Sequence, residues 1–103
     1  RLSGGSGDDI LEGGAGDDIL TGGSGNDSFV FAPGFGRDTI TDFAGGQEDV
    51  ITFDSDVFVD FETVISHAAQ VGSDVVITFD ESNSLTLSGV QLGTLHIDDF
   101  RFV

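Results

Sequence analysis

Apolar and polar positions along this chain follow two different periods. Leu11, Leu20 and Phe29 recur at every ninth residue, each at the eighth place of a unit Gly-Gly-x-Gly-x-Asp-x-apolar-x. Three such units, GGSGDDILE, GGAGDDILT and GGSGNDSFV, fill residues 4–30 without a gap. The register extends outward: Arg1, Leu2 and Ser3 read as the tail of a preceding unit. Residues 33–41 form a degenerate fourth unit, after the inserted Phe31 and Ala32 and with Pro33 in place of the first glycine. An apolar residue flanked by two others makes a short strand with one side chain facing inward. The chain therefore reads as alternating glycine loops and very short strands, with Leu2, Leu11, Leu20, Phe29 and Ile40 as a thin core. A chain that opens in mid-repeat is expected to be a fragment of something longer.

Beyond Asp42 the glycines thin out and other periods take over. Residues 49–53 alternate as a strand, and Phe61, Val64, Ile65 and Ala68 recur at helical spacing. A helix of about three turns up to Gly72 follows, with Asp60 as its N-cap. Residues 74–80 and 84–88 alternate as strands around Glu81-Ser82-Asn83, a hairpin-length loop, and residues 100–103 read as a last strand. Phe43, Phe53, Phe58, Phe61, Phe79, Leu85, Leu87, Leu95, Ile97, Phe100 and Phe102 supply its expected core. Such a segment serves as a cap: a parallel coil leaves an unpaired edge at each end, which repeat proteins cover with an atypical terminal unit.

The repeat positions also point to chemistry. Glycines at the first, second and fourth places let the chain turn sharply with carbonyl oxygens aimed into the loop, and Asp9, Asp18, Asp27 and Asp38 each add a carboxylate. If two units complete one turn of a flattened parallel coil, the first and third loops stack on one edge and the second and fourth on the other. Stacked strands lie about 4.7–4.9 Å apart, and half of that, about 2.4 Å, falls within the calcium–oxygen range of about 2.3–2.6 Å. An ion between two stacked loops reaches both. Hard oxygen donors with no Cys favour calcium over zinc or copper. A flexible Gly/Ser linker, the bland alternative, has no need of an apolar residue and an aspartate at fixed places in every unit.

These units resemble the RTX (repeats-in-toxin) nonapeptide of bacterial secreted proteins, a calcium-binding repeat. The run at residues 38–43, Asp-Thr-Ile-Thr-Asp-Phe, and the terminal Asp98-Asp99-Phe100 are similar to the segment that follows the repeats in that family. The resemblance implies an all-β protein: a parallel β-roll, that is, a right-handed β-helix of nonapeptides, over residues 1–43, then a small α+β cap over residues 44–103 of the same structural domain. It implies two or more Ca2+ ions between loops one full turn apart, one shared by Asp9 and Asp27 and another by Asp18 and Asp38. Carbonyls of Gly4, Gly5, Gly7, Gly13, Gly14, Gly16, Gly22, Gly23, Gly25, Gly34 and Gly36 are the remaining candidate ligands. It further implies secretion to the extracellular medium through a type I transporter, with the export signal at the C-terminus, where residues 98–103 resemble the ending of the serralysin proteases.

Composition narrows the partners. In 103 residues there are 19 acidic side chains against three arginines and no lysine, a formal charge of −16. That excludes nucleic acid and disfavours anionic membranes, and no apolar run is long enough for membrane insertion. It also makes the metal-free chain repel itself. Without Cys there is no disulfide to compensate, and small scaffolds of this size commonly need a metal. No Gly-x-Ser-x-Gly elbow, His-Glu-x-x-His pair or P-loop occurs, so no catalytic residues are assigned. His67 and His96 read as surface or structural histidines, and Asp54, Asp56 and Asp60 as a solvated acidic loop without a glycine framework. Ile10 and Ile19 fall at outward positions on opposite faces. The expected function is a non-catalytic calcium-binding module that folds outside the cell and supports export and stability of a larger protein. The alternative is a polysaccharide-binding or adhesin module such as those attached to alginate epimerases, against which stands the single cation, Arg37, within the repeats.

Overall fold

A computed structural model describes residues 2–23, 25–43 and 49–103. Arg1 of the leading repeat tail, and residues 44–48, where the second segment was expected to begin, lie outside the described residues.

The repeats wind into two facing parallel sheets. Strands β1 (Leu2–Ser3), β3 (Ile19–Thr21) and β5 (Arg37–Ile40) stack in one sheet, and β2 (Ile10–Leu11), β4 (Ser28–Phe31) and β6 (Val50–Phe53) in the other. Successive turns pair Leu2 with Leu20, Ile10 with Ser28, Ile19 with Thr39 and Ser28 with Val50. The first offset is 18 residues, two nonapeptides, and it grows to 20 and then 22. The inserted Phe31 and Ala32 account for the growth to 20, and the insertion is absorbed by burial. Phe31 is sealed in the core, its ring 5.4 Å from that of Phe35 and 5.8 Å from that of Phe53.

One inward side chain per short strand gives the core its shape. Leu20 and Ile40 from one sheet face Leu11, Phe29 and Ile51 from the other, all buried. Leu2, expected in this core, is 37 % exposed because it lies on the terminal strand with a turn on one side only. Ile10 and Ile19 point outward from opposite sheets, as the half-turn period requires.

The second half prolongs both sheets. β9 (Ser84–Leu87) lies parallel against β5, followed by antiparallel β8 (Asp74–Thr78) and β7 (Ala68–Val71), while β10 (Phe100–Phe102) lies parallel against β6. The free edge of β5 is thus covered, and the core continues through Val75, Ile77, Leu85 and Leu87. Phe100 and Phe102 stack on Phe53 at 6.2 and 6.4 Å. Ile97 departs from the expected core: it sits on a 3-10 turn, Ile97–Asp99, and is exposed.

The helix α1 is shorter than its apolar spacing predicts, spanning Phe61–Ser66. Asp60 caps its start through a 2.8 Å bond from the Thr63 amide. At its end the Ser66 hydroxyl and His67 Nδ1 both turn to the Thr63 carbonyl. Residues Ala68–Val71 then become β7, because Gly72, at φ +62, turns the chain straight back so that Val71 pairs with Asp74. A ladder against β8 satisfies more backbone groups than one further helical turn, and it overrides the local period. Among the described residues no helix is long and apolar enough to cross a membrane.

Candidate metal sites

Each aspartate at the sixth place of a repeat sits in a column with the aspartate one turn on. The Asp9 amide donates to Asp27 Oδ1 at 2.9 Å, and the Asp18 amide to Asp38 Oδ1 at 2.9 Å. Beside each of these a backbone bond joins the same turns, from Ser28 to the Asp9 carbonyl at 2.8 Å and from Thr39 to the Asp18 carbonyl at 2.9 Å. Pro33 and the insertion therefore leave the second step with the geometry of the first. The pairs Asp9/Asp27 and Asp18/Asp38 are the two that the sequence brings together.

One oxygen of every carboxylate is left over. Oδ2 of Asp9, Asp18, Asp27, Asp38 and Asp49 is buried and has no hydrogen-bond partner. A buried, unpaired carboxylate oxygen is costly, and a bound cation is the usual remedy. In the three intact repeats Oδ2 leans across its own loop toward the first glycine. A Cβ on Gly4 would lie 2.7 Å from Asp9 Oδ2, one on Gly13 would lie 2.6 Å from Asp18 Oδ2, and one on Gly22 would collide with Asp27 Oδ2.

Carbonyls of one loop face the glycines of the next. Gly23 and Gly25, at φ +84 and +94, would drive a Cβ into the carbonyls of Gly5 and Gly7, and Gly36 would do the same to Gly16. Gly14 and Gly34 share the positive φ of these turns but would meet no such neighbour. They line a depression with Glu12, Val30 and Phe35. Among the described residues no three or more His, Cys, Asp or Glu side chains gather around one point. The donor set is instead paired carboxylates with backbone carbonyls, hard oxygens that fit calcium and do not fit a soft transition metal.

Electrostatics agree. Burial first, then the neighbouring negative charges of Asp18 and Asp17, pushes the Asp38 carboxyl up to about 6, and burial with the charges of Asp9 and Asp42 raises Asp27. Asp49 is raised by burial and by Asp27 and Asp42. The Arg37 guanidinium does not relieve this repulsion by turning inward; it donates to the Glu81 carbonyl at 2.6 Å.

Two features escaped the sequence reading. Asp49 takes the same column position as Asp27 in the next turn, accepting the Asp27 amide at 2.8 Å. Its signal was Gly45-Gly46 followed by Asp49-Val50-Ile51, a glycine pair and the Asp-x-apolar core of a repeat, with the pair one residue nearer the aspartate than in the intact units. The fifth place is also not idle: Asp8 Oδ1 accepts the Asn26 amide at 2.9 Å and Asp17 Oδ1 the Arg37 amide at 3.1 Å. Fifth-place carboxylates reach forward one turn while sixth-place carboxylates reach back. Asp8→Ala should cost one exposed inter-turn bond, about 0.5–1 kcal/mol. The Tm in saturating calcium should fall by roughly 2–8 °C, and an unchanged Tm would show that the latch contributes nothing.

Residues 1–29 match the family model described as RTX calcium-binding nonapeptide repeat (4 copies). The chain is 36 % identical over 73 residues to an endo-1,3-1,4-beta-glycanase, EglC, of Rhizobium meliloti, a match that covers 71 % of this chain and 15 % of that protein. Its fold is similar to that of the extracellular lipase LipA of Serratia marcescens, with a TM-score of 0.72 and 27 % identity over 97 % of this chain and 20 % of the lipase. The chain thus spans a minor part of each relative's length.

Proposed function

We propose, from the premise that this chain belongs through its repeats to the RTX calcium-binding family, that it is a non-catalytic β-roll whose folding is switched on by extracellular Ca2+ during export of a larger secreted protein. The observation that carries this reading is the row of buried, unpartnered Oδ2 atoms on Asp9, Asp18, Asp27 and Asp38. These carboxylates hold the ions, and carbonyls of the glycine loops complete the coordination. Bound calcium supplies the positive charge that lets the acidic turns close on one another; it takes part in no reaction here. Two relatives with different activities, a glycanase and a lipase, share the module over small parts of their lengths. A role in folding and export, independent of either chemistry, is supported by that pairing.

In a low-calcium cytosol the acidic repeats stay unfolded and can be threaded through a type I transporter; outside, calcium folds them and opposes backsliding. The C-terminal segment serves first as the address and then as β10. Deleting residues 98–103 from a fusion expressed with its cognate transporter should abolish secretion. Phe53→Ala, which removes the ring that Phe100 and Phe102 stack on, should weaken the folded state while export continues. Export of the deleted fusion at the full-length rate would place the signal elsewhere.

A further inference from the structure

Asp49 lies outside the intact Gly-Gly-x-Gly-x-Asp units, yet the coil brings it into the column of Asp9 and Asp27. The step from Asp27 to Asp49 repeats the other two bond for bond. The Asp27 amide donates to Asp49 Oδ1 at 2.8 Å, and the Val50 amide donates to the Asp27 carbonyl at 2.8 Å. Asp27 is 1 % and Asp49 3 % exposed, and Oδ2 of each is buried without a partner. Asp42 anchors the loop below: its Oδ1 accepts the Gly22 amide at 3.0 Å and its Oδ2 the Gly23 amide at 2.8 Å. Both oxygens of Asp42 are thereby engaged, which makes it a positioning residue.

We propose that Asp27 and Asp49 hold a further calcium ion, beyond the repeat proper, so that Asp27 serves an ion on each side of its turn. The inference rests on the reading of the Asp9/Asp27 and Asp18/Asp38 steps as calcium sites. The two edges of the roll then differ. On the Asp18 edge the residue in register beyond Asp38 is Leu85, fully buried, and the column ends there. On the Asp9 edge the column runs one step further.

Native mass spectrometry and calorimetric titration of the full chain with calcium alone count the ions. Asp49→Asn keeps an acceptor for the Asp27 amide while removing the charge, and it should bind one calcium fewer than the wild type. Asp38→Asn should also lose one, and the double variant two. A wild-type count in Asp49→Asn, with one ion lost in Asp38→Asn, would overturn this site and leave the repeat sites standing. No loss in either variant would overturn the calcium reading of the repeats themselves. Should Asp49→Asn fail to fold, the wild-type count decides. One ion beyond the Asp9/Asp27 and Asp18/Asp38 steps supports the site, and none beyond them refutes it.

Discussion

Stripped of calcium at neutral pH, the chain loses the strand signal of its repeat half, and calcium in about the millimolar range or below restores it. Strands β1 and β2 have two residues each and β3 has three. So little ladder and core cannot offset the ordering entropy of the glycine loops. Repulsion adds to this, with a formal charge of −16 and five aspartates whose Oδ2 atoms are buried without partners. Ion binding supplies the missing free energy, so it appears as folding free energy. Protons substitute in part. Asp27, Asp38 and Asp49 have folded-state values raised above the ordinary 3.8. Their contribution to the metal-free fold is therefore fully present below that value and is lost as pH rises, for Asp38 through about 6. In chelator, order should increase as pH falls from about 6 toward about 4 and level off below that. With calcium the sense reverses: ligands must be deprotonated, and affinity should fall as pH drops through the same window. Circular dichroism across pH, with and without EDTA, reads both arms; a strand signal indifferent to EDTA at neutral pH would refute the coupling.

Asp27→Ala should be the most damaging single change among the column aspartates. Its carboxylate accepts the Asp9 amide, its amide donates to Asp49, and its Oδ2 faces the loop that begins at Gly22. Among the described residues Asp9 has an aspartate neighbour on one side only, and beyond Asp38 the register meets Leu85, so neither joins two aspartate steps here. The substitution leaves the part-buried Asp9 amide without its acceptor, at about 1–3 kcal/mol, and removes a ligand. Loss of an outer partner alone costs about 10–100-fold in metal affinity, so the calcium midpoint should rise by at least about tenfold. Asp9→Ala should shift it less. Equal midpoints for the two variants would mean that Asp27 does not link successive turns.

Much of the roll was legible because a nine-residue period constrains every position at once. The stacking of alternate loops and the inward Leu11, Leu20 and Phe29 follow from that period, whereas the pairs Asp9/Asp27 and Asp18/Asp38 were implied by the family resemblance and are adjacent in the coil at offsets of 18 and 20 residues. The hairpin of β8 and β9 was legible from strict alternation bounded by turn residues. What was missed lies where a local signal competes with a distant partner. Ala68 fits a helical stripe and a strand equally well, and the available ladder of β8 decided between them. Fifth-place aspartates vary with Asn26 and Arg37 in the pattern, which hid the fact that their acceptors serve backbone amides that every residue type provides.

The sequence by itself determined the repeat, its hard-oxygen chemistry and the need for a cation, because glycine, aspartate and net charge act through local geometry and composition. Only the tertiary structure decided where each column of aspartates ends. Asp49 and Leu85 are both ordinary strand-edge residues in the linear chain. Parallel pairing across 22 residues sets one over Asp27, and pairing of β5 with β9 sets the other over Asp38. Register between distant strands is fixed by which side chains fill the shared core. That is why one edge continues to offer carboxylates and the other closes with a leucine.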